Sequence, residues 1–179
     1  MSEIVGGEGI VFHNNNVVLG MQKTKRWYNM QNNKKGAIIK TIGGQIEKDD
    51  NGNLKNTLLR ETMEEIKDIS LEDLTISSDK VFEKKILMKE LNPFDTTSNL
   101  EMKANFYELN IINKKNIYPN DLPFLFEIPI NVLINLDFNK IMEIDELKKY
   151  TIASNEDLKL PEYVALFIPE ELKNYLKNK

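Results

Sequence analysis

Short apolar runs separated by polar turns dominate the first part of the chain and predict β-strands. Residues 9–22 form two such runs around Asn14–Asn16, where asparagine adopts a left-handed turn at low cost. His13 lies at the edge of this turn, so we expect its side chain on the surface. Residues 37–42 form another short strand, which leads directly into the glycine pair at 43–44. The pattern therefore predicts a hairpin followed by a strand that ends in two glycines.

The rest of the chain alternates between strand-like and helix-like periodicity. Residues 74–91 predict one or two strands, and residues 100–112 predict another. Residues 126–136 predict a strand that passes into a helix, with a proline tolerated in the first helical turn. Residues 138–152 and 169–179 have amphipathic helical spacing. This order predicts an α+β (mixed α/β) fold with helices packed on a mixed sheet.

One long helix is predicted between these parts, from Leu54 to about Lys67. At 100° per residue, one side of the helix is largely apolar. The residues on that side are Leu54, Leu58, Leu59, Thr62, Ile66 and Ile69. Glu61, Glu64 and Glu65 fan over a neighbouring arc, with Cβ atoms within about 6 Å of one another.

The burial of these three carboxylates decides what they do. On a solvated face, each like-charged pair costs only about 0.2–0.5 kcal/mol. In a cleft, at an effective dielectric constant of about 20, one pair at about 6 Å costs about 3 kcal/mol. The trio is therefore either an ordinary charged surface or a site that binds protons or a cation. Ligand sets of oxygen alone suit Mg²⁺ or Mn²⁺, which in turn favour phosphate-bearing substrates.

Composition excludes several other kinds of site. The chain has 179 residues, no cysteine and one histidine, so thiolate catalysis, disulfides, sulfur-ligated zinc and paired imidazoles are excluded. The net charge of −4 argues against a general nucleic-acid binder, although Lys23, Lys25 and Arg26 form a small basic patch. No basic leader and no long apolar stretch precede or interrupt the pattern, so we expect a cytoplasmic protein without a membrane span.

Residues 43–66, GGQIEKDDNGNLKNTLLRETMEEI, resemble the Nudix box of the Nudix hydrolases. The family pattern is a glycine, five residues, a glutamate, seven residues, and then R-E-U-x-E-E-x-G-U, where U is a bulky aliphatic residue. With the strands on either side, the resemblance covers residues 5 to about 136, and it implies an α/β/α sandwich with the box helix packed on a mixed sheet. The matching positions are Gly43, Gly44, Glu47, Arg60, Glu61, Glu64 and Glu65.

This chain departs from the box pattern in its loop and at its end. The spacing from Gly44 to Arg60 is two residues longer than in the pattern. Asp50 falls at the spacing of the first box glutamate, with Asp49 as the alternative. The closing glycine is replaced by Lys67, a poorer residue for a left-handed helix cap. The R-E-x-x-E-E carboxylates are unaffected, so we expect the metal site to be retained.

The resemblance implies hydrolysis of a pyrophosphate bond in a nucleoside diphosphate linked to another moiety, with Mg²⁺ as cofactor and Mn²⁺ as the alternative. It implies Glu61, Glu64 and Glu65 as metal ligands, together with the Gly43 carbonyl. In some family members the residue that matches Glu61 also handles the proton of the attacking water. Arg60 is implied to orient the helix carboxylates. The alternative function is a weak or inactive Nudix-fold module that binds a ligand or regulates.

The general base varies in this family and often lies outside the box. The resemblance favours Asp121, in the loop after the strand predicted at 100–112, over Glu101. For either residue, an ordinary loop carboxylate is the alternative.

Substrate contacts are expected from Gly44 and Glu47 in the box and from Arg26 and Trp27 in the loop after the hairpin. Arg26 suits a phosphate. Trp27, with Tyr28, either stacks on a nucleobase or packs against the sheet. No further motif selects one nucleotide derivative.

Residues 1–179 are predicted to form a single domain, in which residues 137–179 are a helical C-terminal extension packed on the core. The alternatives for this extension are shaping the substrate pocket and forming a homodimer contact. The expected partner is a small nucleotide-type substrate.

Overall fold

The computed structural model describes residues 3–179; the first two residues of the predicted domain lie outside this range. Within it, the strands are β1 (Ile4–His13), β2 (Asn16–Met21), β3 (Tyr28–Asn29), β4 (Lys35–Gln45), β5 (Leu74–Ile76), β6 (Phe82–Leu87), β7 (Glu101–Ile111), β8 (Phe124–Pro129), β9 (Met142–Glu143), β10 (Thr151–Ala153) and β11 (Tyr163–Phe167). The helices are α1 (Leu54–Glu65), α2 (Met88–Leu91), α3 (Ile130–Leu133) and α4 (Glu170–Lys177).

These strands form one mixed sheet, as predicted. Its main path runs β10-β8-β2-β1-β4-β11-β9, and β7 lies parallel to β1 and antiparallel to β5 and β6. β1 and β4 are antiparallel, with Gly7 opposite Gly44 and Glu8 opposite Gly43. β11 pairs with β4 in parallel only as far as Lys40. The glycine pair therefore lies on a part of β4 that continues past the end of β11.

Two apolar clusters fill the space on the two faces of the sheet. Ile10 and Val11 follow one another on β1, so their side chains point to opposite faces. Ile10 packs in a cluster that includes Leu172 of α4, whereas Val11 packs in a cluster that includes Leu58 of α1. The predicted packing of α1 on a mixed sheet, with helices on both faces, is confirmed.

The predicted helical extension at the C-terminus is wrong in its central part. Residues 138–152 form β9, β10 and two short 3-10 turns, Ile144–Glu146 and Lys148–Tyr150, instead of one helix. Residues 163–167 form β11 inside the sheet, beside β4. Only α4 confirms a helix in this segment. The reason is that 3-10 turns place residues three apart on one side, so Ile144 and Leu147 show helix-like spacing without forming an α-helix.

His13 is buried, so the predicted surface position is wrong. Its ring is 1% exposed and lies between two distant groups. Nδ1 lies 3.0 Å from Glu127 Oε1, and Nε2 lies 2.7 Å from the Lys114 carbonyl. The turn itself is confirmed, because Asn14 and Asn15 have φ values of 50° and 64°.

The end of α1 adapts to the missing box glycine. The helix ends at Glu65, and the left-handed position falls on Asp68, with a φ of 55°, instead of on Lys67. The next backbone amide past the cap, that of Lys67, donates to the Tyr118 carbonyl at 2.8 Å. None of the helices in residues 3–179 combines the length and the apolar character needed to cross a membrane.

Candidate active site

The glycine pair allows α1 to bring a carboxylate against β4. Gly43 has a φ of +151°, a value that L side chains rarely adopt. A Cβ atom on Gly44 would lie 2.3 Å from Glu61 Oε1. Any larger residue at position 44 would displace the Glu61 carboxylate, so the two glycines are required by the geometry of the site.

The expanded box loop is an ordered turn. Glu47 and Asp50 form a reciprocal capping box around a 3-10 turn at Lys48–Asp50. Asn51 and Gly52 then adopt left-handed φ values of 54° and 71°. The chain returns to α1 at Asn53, whose side chain accepts a hydrogen bond from the Lys55 amide at 3.0 Å. The two extra residues are therefore absorbed without disturbing the start of the helix.

Asp50 occupies the place that the pattern assigns to the first box glutamate. Arg60 binds it through Nε and Nη2, each at 3.1 Å, and Thr57 Oγ1 donates to it at 2.9 Å. These hydrogen bonds, led by those from Arg60, lower the pKa of Asp50 to about 2, although burial opposes the shift. Asp49, the alternative, is exposed. Asp50 is thus the fixed anchor of the guanidinium.

Arg60 also lies against the other acidic groups of the box. Its Nη1 is 2.9 Å from Glu61 Oε1, 3.4 Å from Glu64 Oε1 and 3.6 Å from Glu47 Oε1. Its Nη2 donates to the Gln45 carbonyl at 3.0 Å. Burial raises the pKa of Glu61, against the lowering influence of Arg60. One guanidinium therefore holds the loop, β4 and the acidic side of α1 together.

The three helix carboxylates have different environments, which periodicity alone did not distinguish. The Glu64 side chain is 51% exposed and the Glu61 side chain is 16% exposed. Glu65 is buried, and its Oε2 has no hydrogen-bond partner. Burial raises the pKa of Glu65 to about 8, although Lys40 acts in the opposite direction. An unpaired buried carboxylate oxygen is costly, which is unlike an ordinary solvated helix face.

Two charged residues of the site were not predicted from the sequence. Lys40 is partly buried, and its Nζ donates to the Gly43 carbonyl at 3.1 Å and to the Thr41 carbonyl at 3.4 Å. Glu8 is 5% exposed and accepts a hydrogen bond from Thr41 Oγ1 at 2.7 Å. The available signal was a charged residue inside an otherwise apolar strand, at both positions.

The charges around Lys40 favour its protonated form. Burial alone would lower the pKa of Lys40, but Glu8 and then the α1 glutamates raise it, and the net shift is upward. Burial raises the pKa of Glu8, with Lys40 opposing. The ammonium thus opposes the effect of burial on the pKa values of both Glu8 and Glu65.

A cavity of about 220 Å³ opens beside the glycine pair, at the end of β11. Its polar lining includes Arg26, Lys40, Gln22 and Gly44. Gln22 is oriented, because its Oε1 accepts a hydrogen bond from the Ile38 amide at 2.7 Å. The apolar lining is Ile4, Ile38, Ile86, Met88, Met102, Phe106, Phe167 and Pro169. The cavity therefore has a largely apolar lining, with the cations Arg26 and Lys40 and the buried acid Glu8 beside the box.

Trp27 is not among the residues that line this cavity. It packs against the larger apolar cluster, and its Nε1 donates to the Gln22 carbonyl at 2.9 Å. Tyr28 stacks on Phe94 with ring centroids 5.1 Å apart. The packing alternative therefore describes both aromatic residues in this structure, and a contact between Trp27 and substrate stays a prediction. Arg26 and Gly44 line the cavity, and their predicted contacts with substrate stay a prediction.

The two candidate bases lie in different places. The loop that carries Asp121 is held on the end of α1, because the Asn120 amide donates to the Glu65 carbonyl at 2.8 Å. Asp121 is 57% exposed and pairs with Lys23 at 3.0 Å. Glu101 begins β7 and lies 3.4 Å from a lysine of β6. Asp121 is the candidate that the fold brings to the helix carboxylates.

The oxygen groups at this site fit a hard divalent cation in kind. Glu61, Glu65 and the Gly43 carbonyl offer only oxygen, and the unpaired Glu65 Oε2 is available for a ligand. Across residues 3–179, however, no three His, Cys, Asp or Glu side chains are already arranged to hold an ion. Arg60 contacts Glu61, and Lys40 contacts the Gly43 carbonyl. The metal ligands therefore stay a prediction, and binding requires local rearrangement.

Comparison with solved structures identifies the architecture. The MutT protein of Methanosarcina mazei Go1 aligns with a TM-score of 0.51 at 12% identity, over 83% of this chain and 86% of that chain. The chain has the Nudix fold. The dihydroneopterin triphosphate pyrophosphohydrolase of E. coli aligns with a TM-score of 0.48 at 14% identity, over 74% of this chain and 84% of that chain.

The NUDIX domain of Shewanella oneidensis NrtR, solved with ADP ribose, aligns with a TM-score of 0.42 at 14% identity, over 76% of this chain and 79% of that chain. No protein-family model matches the sequence, and no curated protein matches it. The Nudix fold is therefore seen in the structure, while the sequence has diverged far from its structural neighbours.

Proposed function

We propose that this protein is a Mg²⁺-dependent hydrolase that cleaves a pyrophosphate bond in a nucleoside diphosphate linked to another moiety. The observation that carries the proposal is Glu65, a buried carboxylate with an unpaired oxygen, next to Glu61 and the glycine pair. A helix that only faced solvent would not bury a carboxylate in this way. The Nudix fold and the box residues support the same reaction.

Glu61, Glu64 and Glu65, with the Gly43 carbonyl, would hold Mg²⁺ or Mn²⁺. When bound, such an ion would offset pyrophosphate charge and lower the pKa of water. Arg60 keeps the acidic side of α1 in position through its two hydrogen bonds to Asp50.

The cavity supports a nucleotide-type substrate. The apolar side chains that line the cavity suit a flat ring. The Gln22 side-chain oxygen is bound to the Ile38 amide, so its NH2 group suits an acceptor on that ring. Arg26 and Lys40, which also line the cavity, suit phosphate oxygens. The substrate would then extend from the cavity towards the helix carboxylates, across the glycine pair.

Asp121 is proposed as the general base. Its loop is anchored on α1 by hydrogen bonds from Asn120 to the Glu64 and Glu65 carbonyls. Its ion pair with Lys23 is exposed and therefore weak, so the carboxylate is free to accept a proton from water.

A second candidate function is a ligand-binding module of low or no activity. The observation that favours it is that two predicted metal ligands already bind cationic side chains. Arg60 binds Glu61, and Lys40 binds the Gly43 carbonyl. Both candidate functions use the same cavity to bind a ligand, but only the hydrolase cleaves it.

The deciding experiment is a hydrolysis screen with nucleoside triphosphates, ADP-ribose, NADH, dinucleoside polyphosphates and nucleotide sugars, with Mg²⁺, Mn²⁺ or chelator. We expect metal-dependent cleavage within a pyrophosphate. The Glu64→Gln variant should lose activity by about a hundredfold without a change in Tm. Glu156→Gln, at an exposed position outside the site, is the matched control. Binding without turnover would favour the module, and full activity of Glu64→Gln would refute the proposed ligands.

A further inference from the structure

Lys40 binds the Gly43 carbonyl, which is the one backbone group among the proposed metal ligands. Its Nζ lies 3.1 Å from the Gly43 carbonyl oxygen. An ammonium and a divalent cation that share one carbonyl oxygen would lie a few ångströms apart and repel each other strongly. The contact seen here and a metal–carbonyl contact therefore exclude each other.

Lys40 is also the cation best placed to balance the buried acids. Glu8 is 5% exposed, and Glu65 is 7% exposed with an unpaired oxygen. The guanidinium of Arg60 is committed to Asp50 through two hydrogen bonds. Without the Lys40 charge, ionising Glu8 or Glu65 in the metal-free site would be still less favourable, because burial already opposes their charged forms.

We propose that Lys40 is the resident counter-cation of the metal-free site, and that a divalent ion binds the Gly43 carbonyl only by displacing the Lys40 ammonium. This inference rests on the proposed metal site. The same side chain lines the cavity, whose lining also includes the Glu8 carboxylate, so the displaced ammonium can stay inside the cavity near an acid. A lysine stem is flexible and its charge is a point charge, so such a movement needs no backbone change.

The test is the affinity of the purified protein for Mn²⁺, measured by the electron paramagnetic resonance signal of the free ion, with no substrate present. We expect Lys40→Met to bind Mn²⁺ at least about tenfold more tightly than the wild type, because the competitor is gone. Lys40→Arg should bind no more tightly than the wild type. Lys148→Met is the matched control for net charge, since Lys148 pairs with Asp145 outside the site, and should change the affinity less than about twofold.

A second readout uses the wild-type protein and does not depend on how well a variant folds. Acetylation of Lys40 by a limiting amount of acetic anhydride, followed by mass spectrometry, should become faster on addition of Mg²⁺, whereas acetylation of Lys148 should not. An unchanged or weaker Mn²⁺ affinity in Lys40→Met, or unchanged labelling of Lys40, would overturn the inference. Absence of hydrolysis together with tighter binding by Lys40→Met would instead refute only the proposed activity.

Discussion

Replacing Glu65 with glutamine tests whether the metal-free site holds a carboxylate that burial keeps protonated. The Glu65 residue is 7% exposed, and its pKa is raised by burial from 4.5 to about 8. In the unfolded chain the same carboxyl ionises near its ordinary value. Glutamine has nearly the same shape and no charge, so the variant removes this titration and little else.

The direction in which stability changes with pH follows from the number of protons bound in the folded and unfolded states. Between the unfolded and the folded pKa, the folded wild type holds a proton that the unfolded chain has released. Its stability relative to the variant is therefore greatest below pH 4.5 and is lost as the pH rises through about 8. A shift from 4.5 to about 8, at about 1.4 kcal/mol per unit, corresponds to at most about 5 kcal/mol.

The assay is urea unfolding in the presence of chelator, at a series of pH values from about 5 to about 9. We expect the free energy of unfolding of the wild type to fall by several kcal/mol relative to that of Glu65→Gln across this range. Glu64→Gln is the matched control, because the Glu64 side chain is 51% exposed. Parallel profiles of the wild type and Glu65→Gln would show that Glu65 ionises without a burial penalty, and would refute the reasoning.

Three further predictions concern the glycine pair, the base and the C-terminal helix. Gly44→Ala, whose Cβ would lie 2.3 Å from Glu61 Oε1, should lower kcat/KM by about a hundredfold while the fold is kept; normal kinetics would show that Glu61 can move without loss. Asp121→Asn should reduce kcat by at least about a hundredfold, whereas Glu101→Gln should not; equal effects would remove Asp121 as the base. Tyr175→Phe loses a hydrogen bond from α4 to a β7 carboxylate and should cost about 1 kcal/mol in urea unfolding, with kcat unchanged; equal stability would contradict this contact.

Much of the site was predictable because its local signals are strong. The spacing of Leu58 and Ile66 marks the buried side of α1, and both are 0% exposed. Asp50 could be placed by its spacing from Gly44, although two inserted residues left Asp49 open. Asp50 and Arg60 are only ten residues apart in the sequence, so the spacing between them is informative. In the structure, Arg60 does bind Asp50.

The C-terminal segment shows where periodicity misleads. Ile144 and Leu147 are three residues apart and both are buried, as they would be on one helix. The same spacing arises in a 3-10 turn, which places residues i and i+3 on one side. The strand β11 is a short apolar run that is buried on both faces, and periodicity cannot separate such a run from a buried helix.

Other features depend on partners that a single sequence does not reveal. His13 is buried because Glu127 and the Lys114 carbonyl, more than a hundred residues away, meet its two ring nitrogens. Lys40 and Glu8 are similar, since their polar groups are satisfied by Thr41 and Gly43 and each charge favours the ionised form of the other. A charged residue in an apolar strand indicates a polar partner in the fold, but the sequence alone does not identify that partner.

The two cations of the site differ in whether they can give way to a metal ion. Arg60 is fixed by two parallel hydrogen bonds to the buried Asp50 and by a third to the Gln45 carbonyl. Its movement would break the hydrogen bonds that join α1 to the loop and to β4. Lys40 makes only carbonyl contacts with its own strand, at 3.1 and 3.4 Å, and can leave without such a loss. Lys40 is therefore the cation that would move if the Gly43 carbonyl and Glu65 held a divalent ion, and Arg60 would stay in place. If the proposed metal site exists, this asymmetry would let it bind an ion while Arg60 still holds the loop, β4 and α1 together.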